Sequence, residues 1–192
     1  MALSSIQKPI LICRLLEKPA IVQSKEAIIT RTLLSCLNEA TIRNFGLIIV
    51  SFSTRSILLR SEIVELCACL KKNPLTCETP ILASMEALHR DIAVNLKNAG
   101  VNFMKIHSPE APLDPKQMIR AAQKGDASVL IDRFLGQLCP FLDYDPIDDQ
   151  HELTTCRAYS NRMVLGGRRQ HEMCETDSYL YCEYFLNPRT RS

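Results

Sequence analysis

The chain has 192 residues, 46% of them hydrophobic and 23% charged, with a formal net charge of +2. This is ordinary globular composition for one medium domain or one domain with a small appendage, and it does not call for a polyanionic partner. No apolar run reaches the roughly 20 residues that span a bilayer. The first ten residues lack the basic and apolar regions of a signal peptide, so we expect a cytoplasmic protein.

Short apolar runs alternate with amphipathic stretches over the first part of the chain. The runs are predicted to be buried strands, at residues 9–16, 47–50, 80–83 and 101–106. The amphipathic stretches are predicted to be helices, at residues 25–44, 61–72 and 88–99. Strands that alternate with helices form βαβ units, so the pattern predicts an α/β fold with a parallel sheet covered on both faces.

Capping residues support two of these predicted helices. Ser24 is the expected N-cap of the first helix. Gly100 follows the third helix at the position where glycine usually ends a helix. The inward face of the first predicted helix carries Ile28, Ile29, Leu33, Leu34 and Leu37.

The composition changes along the chain and predicts two units. All 5 tyrosines follow residue 143, and no lysine follows Lys124. Asp114-Pro115 is typical of a helix start, and residues 116–138 read as mostly helical with a break at Gly125-Asp126. We therefore predict an α/β domain at 1–112, a helical linker at 113–138 and a small, irregular cysteine-rich module at 139–192.

Parts of the first unit resemble the receiver domains of response regulators. The resemblance lies in residues 70–82 and 95–105, together with Leu47-Ile-Ile-Val-Ser51. It implies a flavodoxin-like α/β fold over roughly residues 9–110. Residues 51–56 also resemble anti-sigma-factor antagonist domains, which place Ser or Thr after a strand, and this remains the alternative for the first unit.

The phosphorylation chemistry of receivers does not follow from the resemblance. Receivers hold Mg²⁺ with an acidic pair after the first strand, where this chain has Cys13-Arg14-Leu15, and the phosphate-accepting Asp is replaced by Ser51. Ser84 matches the family's hydroxyl position, and Lys105 or His107 its lysine. The short interval before Ser51 also predicts that one strand–helix step is trimmed. The resemblance thus implies a docking platform rather than a phosphorylation switch.

Four of the nine cysteines lie in the last quarter of the chain. Cys139, Cys156, Cys174 and Cys182 are separated by 16, 17 and 7 residues. Four thiolates can hold one zinc ion or one iron–sulfur cluster. Zinc modules usually contain two cysteines in one tight turn, and these four do not. Widely separated cysteines, and the proline after Cys139, favour a 4Fe-4S cluster. Zinc is the alternative metal. The third alternative is that the four cysteines form disulfides or remain independent thiols.

Other residues near these cysteines are weaker candidates. His151 and His171 flank the set, and either can replace a cysteine as ligand, although a lone histidine is more often a surface residue. Arginines between 157 and 169 either offset the negative charge of the centre or pair with acidic neighbours at the surface. The aromatic residues of the module are expected to shield a centre from water.

The sequence therefore predicts a regulatory or sensory protein with a non-phosphorylatable platform and a metal-binding module. No catalytic set is visible, so we do not expect an enzyme. The expected partner is a protein that docks on the platform, and a homodimer is possible. The module has 6 arginines against 9 acidic residues, which disfavours a nucleic-acid partner. The alternative functions are a zinc-stapled adaptor and a small electron-transfer subunit.

Overall fold

The first unit contains a five-stranded parallel sheet. The computed structural model describes residues 8–15, 27–107, 118, 120–121, 124, 126–159 and 162–189. The strands are β1 (Ile10–Leu15), β2 (Ala27–Thr30), β3 (Leu47–Phe52), β4 (Ile81–Met85) and β5 (Phe103–Ile106). Their order is β2-β1-β3-β4-β5 and every neighbouring pair is parallel. This is the flavodoxin-like strand order, so the predicted α/β fold is confirmed.

Four helices with clear boundaries accompany the sheet: α1 (Leu33–Ile42), α2 (Ile57–Lys72), α3 (Arg90–Asn98) and α4 (Ile131–Gln137). Helix α2 begins four residues before its predicted start, because the Ser56 hydroxyl accepts a hydrogen bond from the Leu59 N–H. Gly100 has a φ of 89° after α3, which confirms its predicted role at the helix end.

The prediction of one helix over residues 25–44 was wrong. Ala27–Thr30 is strand β2, paired with β1, and the helix begins only at Leu33, after the N-cap Thr32. The buried residues of α1 are Cys36 and Ala40, whereas Leu34 is 79% exposed. The sequence analysis also predicted that one strand–helix step is missing before Ser51. This was wrong for the strand, because β2 is present in the sheet. Ser24, the predicted N-cap, lies outside the described residues.

The two faces of the sheet carry hydrophobic cores of different size. One face holds the larger core, where Leu11, Val50 and Ala83 pack with residues of α1, α2 and α3. The other face holds a smaller core of Ile10, Ile12, Leu47, Ile49, Leu82 and Met118. Burial of these aliphatic side chains supplies most of the stabilising free energy of the unit. The sheet therefore forms a rigid support for the residues at its ends.

The C-terminal region has a small antiparallel sheet and short helical segments. Strands β6 (Leu142–Pro146), β7 (Glu152–Cys156) and β8 (Met163–Val164) pair in that order. Three short helical segments and a π-helical turn follow: α5 (Gly167–Arg169), the π-turn Gln170–Cys174, the 3-10 helix Asp177–Tyr181 and α6 (Glu183–Leu186). This region has a core of its own, which contains seven buried residues, and Leu88 packs against both this core and the larger core of the sheet.

The connection between the two regions is helical where it is described. Met118, Arg120, Ala121 and Lys124 are helical, and Asp126 caps a 3-10 turn (Ala127–Val129) by accepting a hydrogen bond from the Ser128 N–H. Of the predicted break at Gly125-Asp126, Asp126 is non-helical as predicted, and Gly125 lies outside the described residues. Leu130, the residue after the 3-10 turn, forms an antiparallel bridge with Phe103 of β5. The predicted helix start at Asp114-Pro115 lies outside the described residues. Within the described ranges, no helix is both long enough and apolar enough to cross a membrane.

Candidate functional site

The four C-terminal cysteines come from four separate segments and are all buried. Cys139 lies between α4 and β6, Cys156 ends β7, Cys174 ends the π-turn, and Cys182 precedes α6. Their exposed fractions are between 4% and 8%. Three of them, Cys139, Cys156 and Cys174, belong to the core of this region. The fold thus buries all four cysteines that the sequence predicts as ligands.

Three of the thiols, Cys139, Cys156 and Cys174, have pKa values that other cysteines of the set shift. A hydrogen bond from Cys174 lowers the pKa of Cys139 to about 7 against the opposing effect of burial. The same bond, together with burial and the negative charge of the other three thiols, raises the pKa of Cys174. Burial raises the pKa of Cys156, and Cys139 and Cys182 add to it. The backbone N–H of Cys139 also donates to the Cys174 carbonyl over 2.8 Å.

All nine cysteines of the chain lie in described segments, and all are free. Cys69 is exposed on α2, whereas Cys67 is buried, as expected for two residues at this spacing on one helix. In the part of the chain that the structure describes, no group of three or more His, Cys, Asp or Glu side chains is placed so that it could hold a metal ion.

Two arginines contact or face the thiols. Arg169 Nη2 lies 3.9 Å from Cys182 Sγ, its guanidinium lies over the Tyr184 ring, and the bond to Cys182 raises the pKa of Arg169. Arg90 favours the ionised form of Cys139, and the Arg90 Nε is buried without a hydrogen-bond partner among the described residues. A buried donor of this kind suits a negatively charged neighbour.

The remaining charged candidates have other partners. Arg157 and Arg162 form ion pairs with Asp143, and Arg168 pairs with Glu172. The ring nitrogens of His151 and His171 face Asp148 and Glu175 on their own turns, and both histidines are exposed. The pairs of Arg168, His151 and His171 are solvated surface contacts, whereas Asp143 is buried beneath its two exposed arginines.

Aromatic rings surround the cysteines. Phe141, Tyr144, Tyr179 and Tyr184 pack against the buried core that contains Cys139, Cys156 and Cys174. The rings of Tyr179 and Phe185 meet edge to face with 5.0 Å between centroids, and those of Tyr159 and Tyr184 with 4.9 Å. Such a shell excludes water from the thiols, as the sequence analysis predicts.

An ion-pair network joins the C-terminal region to the platform. Arg60 on α2 donates two hydrogen bonds to the Glu152 carboxylate, over 2.6 and 2.9 Å, and His89 lies 3.0 Å from the same group. Burial opposes the charge on Glu152, but the bonds from His89 and Arg60 outweigh it and lower its pKa to about 2. Tyr144 stacks on His89, with 3.7 Å between ring centroids.

The sequence analysis did not predict this network. It considered the acidic residues near the C-terminal arginines, Glu152 among them, only as surface partners of those arginines. Arg60 and Glu152 are 92 residues apart, and no local pattern links them. The network borders a cavity of about 330 Å³ between α2, α3 and the β6–β7 hairpin. Glu152 begins β7 and Cys156 ends it, so one short strand connects the network to the thiols.

The receiver-like positions lie together at the carboxyl ends of the strands. Ser51 is in register with Ser84 on β4, and Ser84 with Lys105 on β5. Ser84 Oγ lies 3.0 Å from His107 Nδ1. Arg14 is in register with Ser51 on the other side, where a receiver has acidic residues. Among the described residues, this arrangement has a hydroxyl where a receiver has one, but neither the phosphate-accepting Asp nor the acidic pair that binds the metal.

A phosphodonor is therefore expected to leave the protein unmodified. Incubation with acetyl phosphate and Mg²⁺ should give an unchanged intact mass, because a serine without an adjacent metal site is a poor phosphoryl acceptor. A gain of one phosphoryl group that is lost in Ser51→Ala would contradict this prediction. A functional receiver domain treated in parallel is the positive control.

Comparisons with known proteins return response regulators as structurally similar chains. The chemotaxis response regulator CheY4 of Vibrio cholerae aligns with a TM-score of 0.46 and 15% identity, over 62% of this chain and 98% of that one. The Mn²⁺-bound response regulator Rcp1 gives 0.42 and 17%, over 61% and 90%. A response regulator from Burkholderia multivorans gives 0.43 and 16%, over 61% and 94%. No protein-family model and no curated protein matches the sequence.

Proposed function

We propose that this chain is a regulatory protein in which a receiver-like platform carries a metal centre held by Cys139, Cys156, Cys174 and Cys182. The proposed metal group is a 4Fe-4S cluster, and the proposed role is to change how the platform docks a protein partner. The proposal includes no enzymatic activity. The observation that carries it is that four buried, free thiols come from four segments, and that three of them, Cys139, Cys156 and Cys174, share one core.

The chemistry of the donor set supports a soft metal. Thiolates are the preferred ligands of iron–sulfur clusters and of zinc, and single cysteines on separate segments suit a cluster with four corners. Metal binding would ionise all four thiols, and Arg169 beside Cys182 and Arg90 near Cys139 would offset part of that charge. When bound, a cluster supplies a redox-sensitive centre, whereas zinc supplies only a staple.

The route from the centre to the platform also supports a regulatory role. Strand β7 carries Cys156 at one end and Glu152 at the other, and Glu152 is bound by Arg60 of α2 and by His89, which caps α3. A change at the thiols therefore displaces a residue that is bound to two helices of the platform. We propose that loss of the centre alters the α2–α3 surface and with it the docking of the partner.

Anaerobic purification followed by absorbance, iron, sulfide and zinc measurements tests the metal centre. A broad band near ~400 nm with iron and sulfide is the expected result. Substitution of any one of the four cysteines by serine should abolish the band, whereas Cys69→Ser, at an exposed position on α2, should keep it. A colourless protein with stoichiometric zinc would show a zinc site instead of a cluster, and the function would then be that of a static adaptor. Absence of any metal would refute the centre.

A further inference from the structure

The cavity between α2, α3 and the β6–β7 hairpin is open to solvent and large enough for a ligand. Its volume of about 330 Å³ lies at the lower end of the range for small-molecule sites, roughly 300–1,000 Å³. The lining residues His89 and Ile92 are buried, so they form its floor. Ser61, Glu65 and Asn95 also line the cavity but are exposed, so they form its mouth.

All three elements contribute apolar side chains to the walls of this cavity. They are Ile57 and Val64 of α2, Ile92 of α3, and Tyr144 and Pro146 of the hairpin. Small-molecule sites typically combine such aliphatic and aromatic walls with a few polar groups that fix the orientation of the ligand. The walls therefore suit a ligand that has a hydrocarbon body.

The charged groups of the cavity favour a cation. Asp91 of α3 and Glu65 of α2 line it, and neither carboxylate has a hydrogen bond or an ion pair among the described residues. The third carboxylate, that of Glu152, is already bound by Arg60 through two hydrogen bonds. Arg60 is itself engaged, because its Nε also donates to the Thr54 carbonyl. An anionic ligand would thus face two carboxylates and an arginine whose donors are in use.

The charge of the half-buried Asp91 is incompletely balanced within the protein. Burial raises the pKa of Asp91, and the negative charge of Asp143 adds to this effect. His89, Arg90 and Arg157 act in the opposite direction without reversing the shift. A cation in the cavity would stabilise the ionised carboxylate. A divalent metal ion needs about six oxygen ligands, which largely apolar walls do not supply, so the cation that fits is an organic one.

We propose that this cavity binds a small organic ammonium ion, with the Asp91 carboxylate as its counter-ion and with Val64, Ile92 and Tyr144 packed against its hydrocarbon part. Glu65 at the mouth attracts the cation from solvent. The chemical class is a free primary amine with an aromatic or branched aliphatic body. None of the four C-terminal cysteines lines the cavity. A metal-free protein with a folded hairpin that binds the amine would therefore refute the metal centre and leave this site intact.

Isothermal titration of the full-length protein with three probes of similar size tests the role of charge. The probes are 2-phenylethylamine, 2-phenylethanol and phenylacetate, which are cationic, neutral and anionic at pH 7. We expect saturable one-to-one binding of the amine, binding of the alcohol that is weaker by roughly tenfold or more, and no binding of phenylacetate. Equal binding of the amine and the alcohol, or no binding of the amine, would overturn the proposal.

The substitution Asp91→Asn tests the counter-ion, because it removes the charge and nearly preserves the shape of the side chain. It should weaken binding of the amine roughly tenfold or more and leave binding of the alcohol unchanged. Asp132→Asn is the matched control, since Asp132 is the second residue of α4, as Asp91 is of α3, and lies outside the cavity. It should bind the amine as tightly as the unaltered protein. Unchanged binding of the amine by Asp91→Asn would contradict the proposal.

Amide chemical shifts of the unaltered protein locate the site without any substitution. The amine should shift the resonances of lining residues on α2, α3 and β6, and leave those of β1 and β2 in place. Shifts confined to another region would overturn the proposal. Nα-acetyllysine methylamide, which presents a lysine side chain, should bind more weakly than 2-phenylethylamine. Tighter binding of this probe would overturn the free amine in favour of a lysine of a partner protein.

Discussion

Removal of the proposed metal centre, or the single change Cys156→Ser, is expected to unfold the C-terminal region while the parallel sheet stays folded. The core of this region has seven buried residues, three of which are the candidate ligands Cys139, Cys156 and Cys174. The sheet, in contrast, has a core of 21 buried residues on one face alone. Structural zinc sites contribute roughly 10–16 kcal/mol to the folding of small domains, and a cluster is expected to contribute on the same scale.

Amide hydrogen exchange, followed by mass spectrometry, measures this difference. Peptides from β6 and β7 should lose protection by orders of magnitude in Cys156→Ser or after chelation, whereas peptides from β1, β3 and β4 should keep theirs. Cys69→Ser provides the matched control, because it removes a thiol that is exposed on α2. Full protection of β6 and β7 in the metal-free protein would contradict the prediction and would mean that the aromatic core suffices.

Substitution of Glu152 by glutamine is expected to lower the free energy of unfolding by about 2–3 kcal/mol at pH 7. The change removes the charge that Arg60 binds with two hydrogen bonds, and it leaves that arginine, whose side chain is 12% exposed, without its counter-ion. Breaking a fully buried ion pair costs roughly 3–5 kcal/mol, and partial exposure reduces the figure. Urea unfolding of the two proteins gives the difference directly. Glu172→Gln, in an exposed pair with Arg168, should change the free energy by less than about 0.5 kcal/mol.

The same substitution should alter the dependence of stability on pH. The pKa of Glu152 falls to about 2 in the folded protein, below its usual value of 4.5. A carboxyl whose pKa is lowered by folding stabilises the protein above its unfolded pKa, and this contribution disappears as the pH falls from about 4.5 towards 2. Glu152→Gln should therefore flatten the acid limb of a stability profile measured between these values. Parallel acid limbs for both proteins would show that Glu152 is not held by the network in solution.

The sequence predicted the central part of the sheet and failed at its edge, for a physical reason. Strand β3 is an uninterrupted apolar run whose six residues are all buried, and such a run has few other interpretations. Strand β2 has four residues, and its two isoleucines are followed within a few positions by two leucines, which a helical period fits as well. Only pairing with β1 distinguishes the two, and pairing is a tertiary contact.

The candidate site shows the same division. Spacing and residue type led to the four cysteines as candidate ligands, because thiols in a short stretch are rare and chemically specific, and their role as ligands stays a prediction. Local sequence patterns could not predict which arginine contacts a cysteine and which one pairs with an acidic residue. Arg169 contacts Cys182, whereas Arg168, its neighbour in sequence, pairs with a surface glutamate, and only the direction of each side chain from its turn separates them. Glu152 likewise owed its role to α2, which lies far away in sequence.

The bridge between Phe103 and Leu130 has a consequence for self-association. It occupies the first residue of β5, and the Ile131 N–H donates to the Asn102 carbonyl beside it, so the chain itself blocks addition of a full-length strand at that edge. Among the described residues of the parallel sheet, the other edge strand is β2, and a second copy that adds to this sheet by strand pairing would use it. If each copy presents its β2 to the other in a two-fold arrangement, both β2 edges are then occupied. Association through the sheet would therefore stop at a dimer instead of growing into a filament.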